Sequence, residues 1–178
     1  TLIKKKKFVY FGRIHPHKNL DLIIEAFKKA KISEEWKLHI YGIVDDTKYL
    51  DKLNELIGEN KQIQIKDPIF NYEKQKVLEE SWLNILVSKS EVLSLSILEA
   101  STFKVPSLVN DQIEMVDIED SVIKTKPLIR EIKIKLEEIC NWSIKERISK
   151  GISINTNVLE KTNVNTILSK YTSLYENF

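Results

Sequence analysis

An uninterrupted apolar run, Phe8-Val9-Tyr10-Phe11, opens the chain and stops at Gly12. A run so short and continuous suits a strand buried on both faces, because a half-exposed strand would alternate with polar residues. The period then changes. From about Lys18, the residues Leu20, Ile23, Ile24 and Phe27 recur at i, i+3, i+4, i+7, one stripe of an amphipathic helix. Trp36 to Tyr41 predicts a second strand, ended by Gly42, and Leu50, Leu53, Leu56 and Ile57 a second helix, closed by Gly58. The alternation repeats. Ile63-Gln64-Ile65 is a strand running into the Asp67-Pro68 turn, Tyr72 to Ser81 a helix, Leu83 to Val87 a strand, Leu95 to Phe103 a helix and Pro106 to Val109 a strand.

Repeated β-α units of about 20–30 residues imply a parallel sheet with helices on both faces and right-handed crossovers. The expected fold is a Rossmann-like, doubly wound α/β domain. Beyond Asp111 the pattern thins to an edge strand at Ser121-Val122-Ile123, helices over Leu128 to Cys140 and Ser143 to Gly151, and a terminal helix over Val164 to Tyr175. No repeat or Gly/Ser-rich linker divides residues 1–178, so one domain is expected.

Composition narrows the function. Of 178 residues, 42% are hydrophobic and 30% charged, which excludes a disordered or collagen-like chain. With 28 basic residues against 26 acidic, the net charge of +2 leaves no electrostatic footprint for nucleic acid. Lys4 to Lys7 form the one basic cluster and are expected to be a solvated lead-in to the first strand. Cys140, the single cysteine, allows neither an internal disulfide nor a thiolate zinc site. No apolar run approaches the length of a transmembrane segment, so a cytoplasmic location is expected.

Ligands of an open parallel sheet bind beyond the carboxyl ends of its strands, where the strand order reverses. The loop after the first strand, Gly12 to Lys18, holds a turn-forming glycine and two cations, Arg13 and Lys18, beside a coming helix. That combination suits a phosphate, because free N–H groups and the helix dipole favour an anion there. Neither a G-x-G-x-x-G nor a Walker A motif is present. After the fourth strand, Glu91 and Glu99 stand eight residues apart across a strand-to-helix change. A carboxylate at Glu99, near the start of the helix, can accept two hydroxyls of a ribose.

Together these segments resemble the C-terminal, donor-binding half of retaining GT-B glycosyltransferases of the group-one, family-4 type. The resemblance runs through Phe8 to Arg13, Lys18-Asn19-Leu20-Asp21 to Phe27, Leu38 to Gly42, Asn84 to Ser88, Glu91 to Ala100, Val105 to Asp111 and the closing Tyr171 to Tyr175. It implies a hexosyltransferase working in surface polysaccharide or lipopolysaccharide synthesis in a bacterial cytoplasm. The donor implied is a UDP- or GDP-sugar, the acceptor a glycan or a lipid-linked glycan, and neither metal nor other cofactor is required. Arg13 and Lys18 would hold the diphosphate and Glu91 the transferred sugar, making these three the catalytic set. Gly12, Leu93, Ser94 and Leu95 would bring backbone groups to the phosphates, and Glu99 would bind the ribose. Asp45-Asp46 is then a turn or helix cap. The resemblance also implies an N-terminal acceptor domain preceding residue 1, through which any contact with the inner membrane would run, so this piece alone is expected to bind but not to turn over.

The sequence departs from the family at three glycine sites. Val92-Leu93-Ser94 replaces Gly-Phe-Gly, Lys104 replaces a glycine before Val105-Pro106, and Gln112-Ile113 replaces Gly-Gly. Glycine in such places permits φ > 0 or a close backbone approach, so a narrowed donor pocket is expected. A non-catalytic nucleotide-binding or interaction module that keeps the half-domain fold is the alternative reading. His15 and His17, in the phosphate loop, are expected to be ordinary loop residues.

Overall fold

A computed structural model describes residues 4–91, 94–113 and 122–162. Six strands, β1 (Lys7–Phe11), β2 (Lys37–Tyr41), β3 (Ile63–Lys66), β4 (Leu83–Leu86), β5 (Ser107–Asn110) and β6 (Ile123–Thr125), form one sheet. Their order is β3-β2-β1-β4-β5-β6, and every neighbouring pair is parallel. The order reverses between β1 and β4, where the chain stops adding strands to one side and begins adding them to the other. Helices α1 (Leu20–Lys29), α2 (Thr47–Ile57), α3 (Asn71–Glu80), α4 (Leu95–Thr102), α5 (Ile129–Cys140) and α6 (Ile144–Thr162) flank the sheet. This is the expected Rossmann-like α/β fold.

The central strand carries the core on both faces, as its unbroken apolar run requires. All five residues of β1 are buried. Phe8 and Tyr10 point into the larger cluster, with Leu20, Ile23, Ile24 and Phe27 of α1, Leu53 of α2 and Ile132 and Leu136 of α5. Val9 and Phe11 point the other way, onto Leu78 of α3 and Ala100 of α4. Trp36, one residue before β2, stacks on Phe8 with ring centroids 4.8 Å apart and meets Trp82 edge-on at 5.6 Å. Each such buried aromatic or aliphatic side chain contributes about 1.5–3 kcal/mol.

Element boundaries show where local chemistry overrides periodicity. The helix expected from Lys18 begins only at Leu20, because Pro16–Lys18 form a single 3-10 turn and Asn19 adopts a left-handed backbone, φ 51°. Asp46 caps α2, accepting a hydrogen bond from the Tyr49 N–H at 2.9 Å. Ser143 and Glu146 form a reciprocal capping box at the start of α6, with bonds of 3.2 and 2.7 Å. The edge strand lies at Ile123–Thr125 rather than at residues 121–123. The expected helix over Val164 to Tyr175 lies outside the described residues.

The helix expected to stop at Gly151 runs on to Thr162. Gly151 is a packing residue: a Cβ there would stand 2.1 Å from the Lys104 carbonyl oxygen. Lys104 itself holds φ 54°, although it replaces a family glycine. The left-handed turn has therefore survived the loss of the residue that adopts it at least cost. Lys104→Gly is expected to stabilise the chain by about 0.5–1 kcal/mol, the relief of the left-handed strain net of glycine's greater unfolded-state entropy. Denaturant unfolding measures this, and a loss of stability would show that the Lys104 side chain matters more than its backbone strain.

Candidate functional site

The ends of β1 and β2 approach each other more closely than side chains allow. A Cβ on Gly42 would stand 2.0 Å from the Gly12 carbonyl oxygen. Parallel pairing continues beyond the strands, with Gly12 N–H donating to Tyr41 O at 3.1 Å and Ile14 N–H to Ile43 O at 2.8 Å. The two glycines thus form the floor of a cleft of about 360 Å³ at the carboxyl edge of the sheet. Arg13 lines it from the loop after β1, Ile43 from the loop after β2, Pro68 to Phe70 from the loop after β3, Lys74 from α3, and Leu95, Ser96 and Glu99 from α4. Ile43, Phe70 and Leu95 are among the most exposed large apolar residues of the chain, so the cleft has apolar walls open to solvent.

The three charged side chains that line the cleft, Arg13, Lys74 and Glu99, and the two outside it, Lys18 and Glu91, are each held by a partner of opposite sign. Arg13 Nη1 lies 2.7 Å from Asp45 Oδ2, in an exposed pair. Lys18 Nζ lies 2.7 Å from Glu91 Oε1, and both side chains are at least 85% shielded (15% and 13% exposed). Lys74 Nζ lies 2.5 Å from Glu99 Oε2 and 4.9 Å from the centre of the Phe11 ring. The Tyr10 hydroxyl donates to the Arg13 carbonyl at 2.8 Å, fixing the bend after Gly12. Burial, followed by the negative charge of Glu91, pushes the Tyr10 hydroxyl well above the ordinary tyrosine range, so it stays a donor.

The loops on either side of the strand-order reversal are tied together. Asn19 Nδ2 donates to Val87 O at 2.9 Å, which is the use of its left-handed backbone, and Lys89 N–H donates to His17 O at 2.8 Å. From the other side, Asn110 Nδ2 donates to Ser88 O at 2.8 Å. The Lys18–Glu91 pair is a third tie across the same gap. Beyond it, α4 begins after Ser94, which is buried and makes no side-chain cap bond, so among the described residues the first-turn N–H groups of Leu95 and Ser96 have no side-chain acceptor.

The structure therefore brings Gly12, Arg13, Leu95 and Glu99 onto one cleft. Lys18 and Glu91 are paired with each other and are not part of its lining. Leu93 lies outside the described residues. Asp46 is a helix cap, as expected, but Asp45 is the partner of Arg13. His15 and His17 stack on each other with ring centroids 5.6 Å apart, and His15 Nδ1 accepts the His17 N–H. The residue missed in the sequence is Lys74. Its one signal was its place a turn beyond the loop that follows β3, which opens on the same edge of the sheet. Gln112-Ile113 does not stand in the cleft: Ile113 packs into the core and Gln112 N–H bonds Asn110 Oδ1 at 3.0 Å.

A parallel sheet with this strand order and an apolar-walled cleft carrying three charged side chains at its carboxyl edge defines the class of Rossmann-like α/β domains, whose ligands bind at the switch point. Residues 2–119 match the family described as glycosyl transferases group 1, and the chain belongs to that family. Among solved structures, it is similar to S. aureus TarM in complex with fondaparinux, alpha-GlcNAc-glycerol and UDP. The TM-score is 0.78 at 25% identity, over 98% of this chain and 36% of that one. It shares its fold with Anabaena Alr3699/HepE in complex with UDP and glucose (TM-score 0.79, 14% identity, 98% and 49% covered). A glycosyltransferase from Rickettsia africae gives TM-score 0.81 at 15% identity, with 99% and 48% covered. The chain thus spans between about a third and half of the length of these proteins. No curated protein matches the sequence. No described helix is long and apolar enough to cross a membrane.

Proposed function

We propose that the cleft binds the nucleoside-diphosphate portion of a UDP- or GDP-sugar. In this reading the chain is the C-terminal, donor-binding half of a retaining, metal-independent GT-B glycosyltransferase that passes a hexose to a glycan or lipid-linked acceptor. The observation that carries it is that Arg13, from the loop after β1, and Glu99, from α4, line one cleft whose floor is the Gly12–Gly42 backbone and whose lining includes Leu95 and Ser96 of the first turn of α4. The UDP held by TarM and by HepE, proteins similar to this chain in fold, supports the same class of ligand.

The chemistry follows from where charge develops. Transfer breaks the bond between the anomeric carbon and the diphosphate oxygen, and the bonding electrons stay on the departing nucleoside diphosphate. Groups that bind that charge more tightly as it grows lower the barrier. Arg13, Lys18 and the amides of Leu95 and Ser96 supply such groups without a metal. Arg13 and Lys18 are already held by carboxylates, so the diphosphate must take them over from Asp45 and Glu91. In this reading Glu91, once released from Lys18, accepts hydroxyls of the sugar, and Glu99 accepts those of the ribose.

Calorimetric titration of the chain with UDP, GDP, ADP and NAD, with and without magnesium, tests this. Saturation by UDP or GDP, unchanged by magnesium, is expected. Lys18→Ala should weaken that binding by about 1.5–3 kcal/mol, the scale of a hydrogen bond to a charged group. Preference for NAD, or an unchanged affinity in Lys18→Ala, would contradict the assignment, and no binding at all would favour an interaction module that keeps the fold.

A further inference from the structure

We infer that Lys74 is a specificity-determining residue that fixes how the cleft reads a ribose, an inference that rests on the nucleotide reading above. Glu99 has two carboxylate oxygens. Lys74 holds Oε2 at 2.5 Å, while among the described residues Oε1 accepts no hydrogen bond. The ammonium is itself confined, with its side chain 19% exposed and its charge seated 4.9 Å over the Phe11 ring. A lysine in solution would sample many rotamers, but one lodged between an aromatic face and a carboxylate is pre-organised. Both partners line the cleft.

The consequence is a carboxylate with one oxygen committed. A free glutamate offers two oxygens and can rotate to meet either hydroxyl of a ribose or both. Glu99, whose side chain is 45% exposed, is then oriented by its one bond to Lys74 of α3 and presents Oε1 to the ligand. Neutralisation by Lys74 also keeps the carboxylate from repelling the diphosphate that Arg13 holds along the same cleft. Lys74 therefore acts through Glu99: it positions the acceptor and needs no bond of its own to the nucleotide.

The chain and its Lys74→Met and Lys74→Arg variants are titrated with UDP, 2′,3′-dideoxy-UDP and inorganic pyrophosphate, or with the guanine series if GDP is the better ligand. Lys74→Met is expected to weaken binding of the ribose ligand about five- to tenfold, as the loss of one well-placed hydrogen bond would, and to leave the dideoxy ligand and pyrophosphate within about twofold. Lys74→Arg, which keeps the charge and can still reach Glu99, is expected to restore most of the difference. Equal weakening of ribose and dideoxy ligands would overturn the inference, since Lys74 would then serve the phosphates or the fold, and so would no change with any ligand. If the unaltered chain binds none of the three, the nucleotide reading fails and this inference falls with it. If the unaltered chain binds UDP or GDP but Lys74→Met shows no ribose dependence, only this inference fails.

Discussion

Gly42→Ala is expected to destabilise the chain by about 3–5 kcal/mol, at the upper end of what one methyl group does in a packed protein. The added carbon would lie 2.0 Å from a backbone oxygen, that of Gly12, and 3.1 Å from the Ile14 side chain. A flexible side chain could move aside, but here the obstacle is the main chain of β1, held by Gly12 N–H on Tyr41 O and Ile14 N–H on Ile43 O. Relief requires the ends of β1 and β2 to separate, which spreads the floor of the cleft. Two measurements check this: the denaturant midpoint, and nucleotide affinity at a temperature where the variant remains folded. A variant as stable as the parent would mean that the two strand ends are not in contact as described.

The second large effect is expected at Arg147, which is buried, only 2% exposed, and has no carboxylate among its hydrogen-bond partners in the described residues. Its guanidinium donates to Ser81 O at 3.0 Å and to Trp82 O at 3.3 Å, and stands 6.0 Å from the Trp82 ring. These carbonyls follow the C-terminus of α3, where the helix dipole favours a cation. Burial lowers the Arg147 pKa to about 10, so the group remains charged at neutral pH despite its desolvation. Arg147→Ala would leave two carbonyls unsatisfied and open a cavity, at a cost of about 2–4 kcal/mol. Arg147→Met should cost less, because it fills the space and forfeits only the hydrogen bonds. A loss under about 1 kcal/mol in Arg147→Ala would show that water replaces the guanidinium without penalty.

Arg147 also shows where reading a sequence runs out. It sits on an amphipathic helix among lysines and reads as one more solvated charge, yet it is the residue through which α6 fastens the α3–β4 connection. Nothing local distinguishes it from Arg130. Lys74 is a similar case. Its helix is strongly polar, and only the packing of α3 against α4 carries its ammonium to Glu99, 25 residues later in the chain. By contrast, the β1 run was legible because burial on both faces demands continuous apolar residues, and Gly12 and Gly42 were legible as strand stops. The helix ends were partly legible. Asp46 was legible as a turn or cap and Ser143 as a helix start, whereas Gly151 resembled a stop and is instead a point of close helix packing.

The site divides the same way. Periodicity and the rule that ligands meet an open sheet at its carboxyl edge nominated Gly12, Arg13, Lys18, Glu91 and Glu99, of which Gly12, Arg13 and Glu99 line one cleft; Leu95, which lines it too, came from the family resemblance. The pairing of Arg13 with Asp45, of Lys18 with Glu91 and of Lys74 with Glu99 could not be read, since it depends on which loops meet over the sheet. Hydrophobic period is a local property, set by whether a residue's neighbours along the chain face water, so the sequence by itself determined the elements, their alternation and the α/β class. Partnership between charges is non-local. It is decided by strand order and by the way helices lie across the sheet, and the tertiary structure alone established that the cleft's cations are already occupied and that, among the described residues, only one oxygen of Glu99 accepts a hydrogen bond.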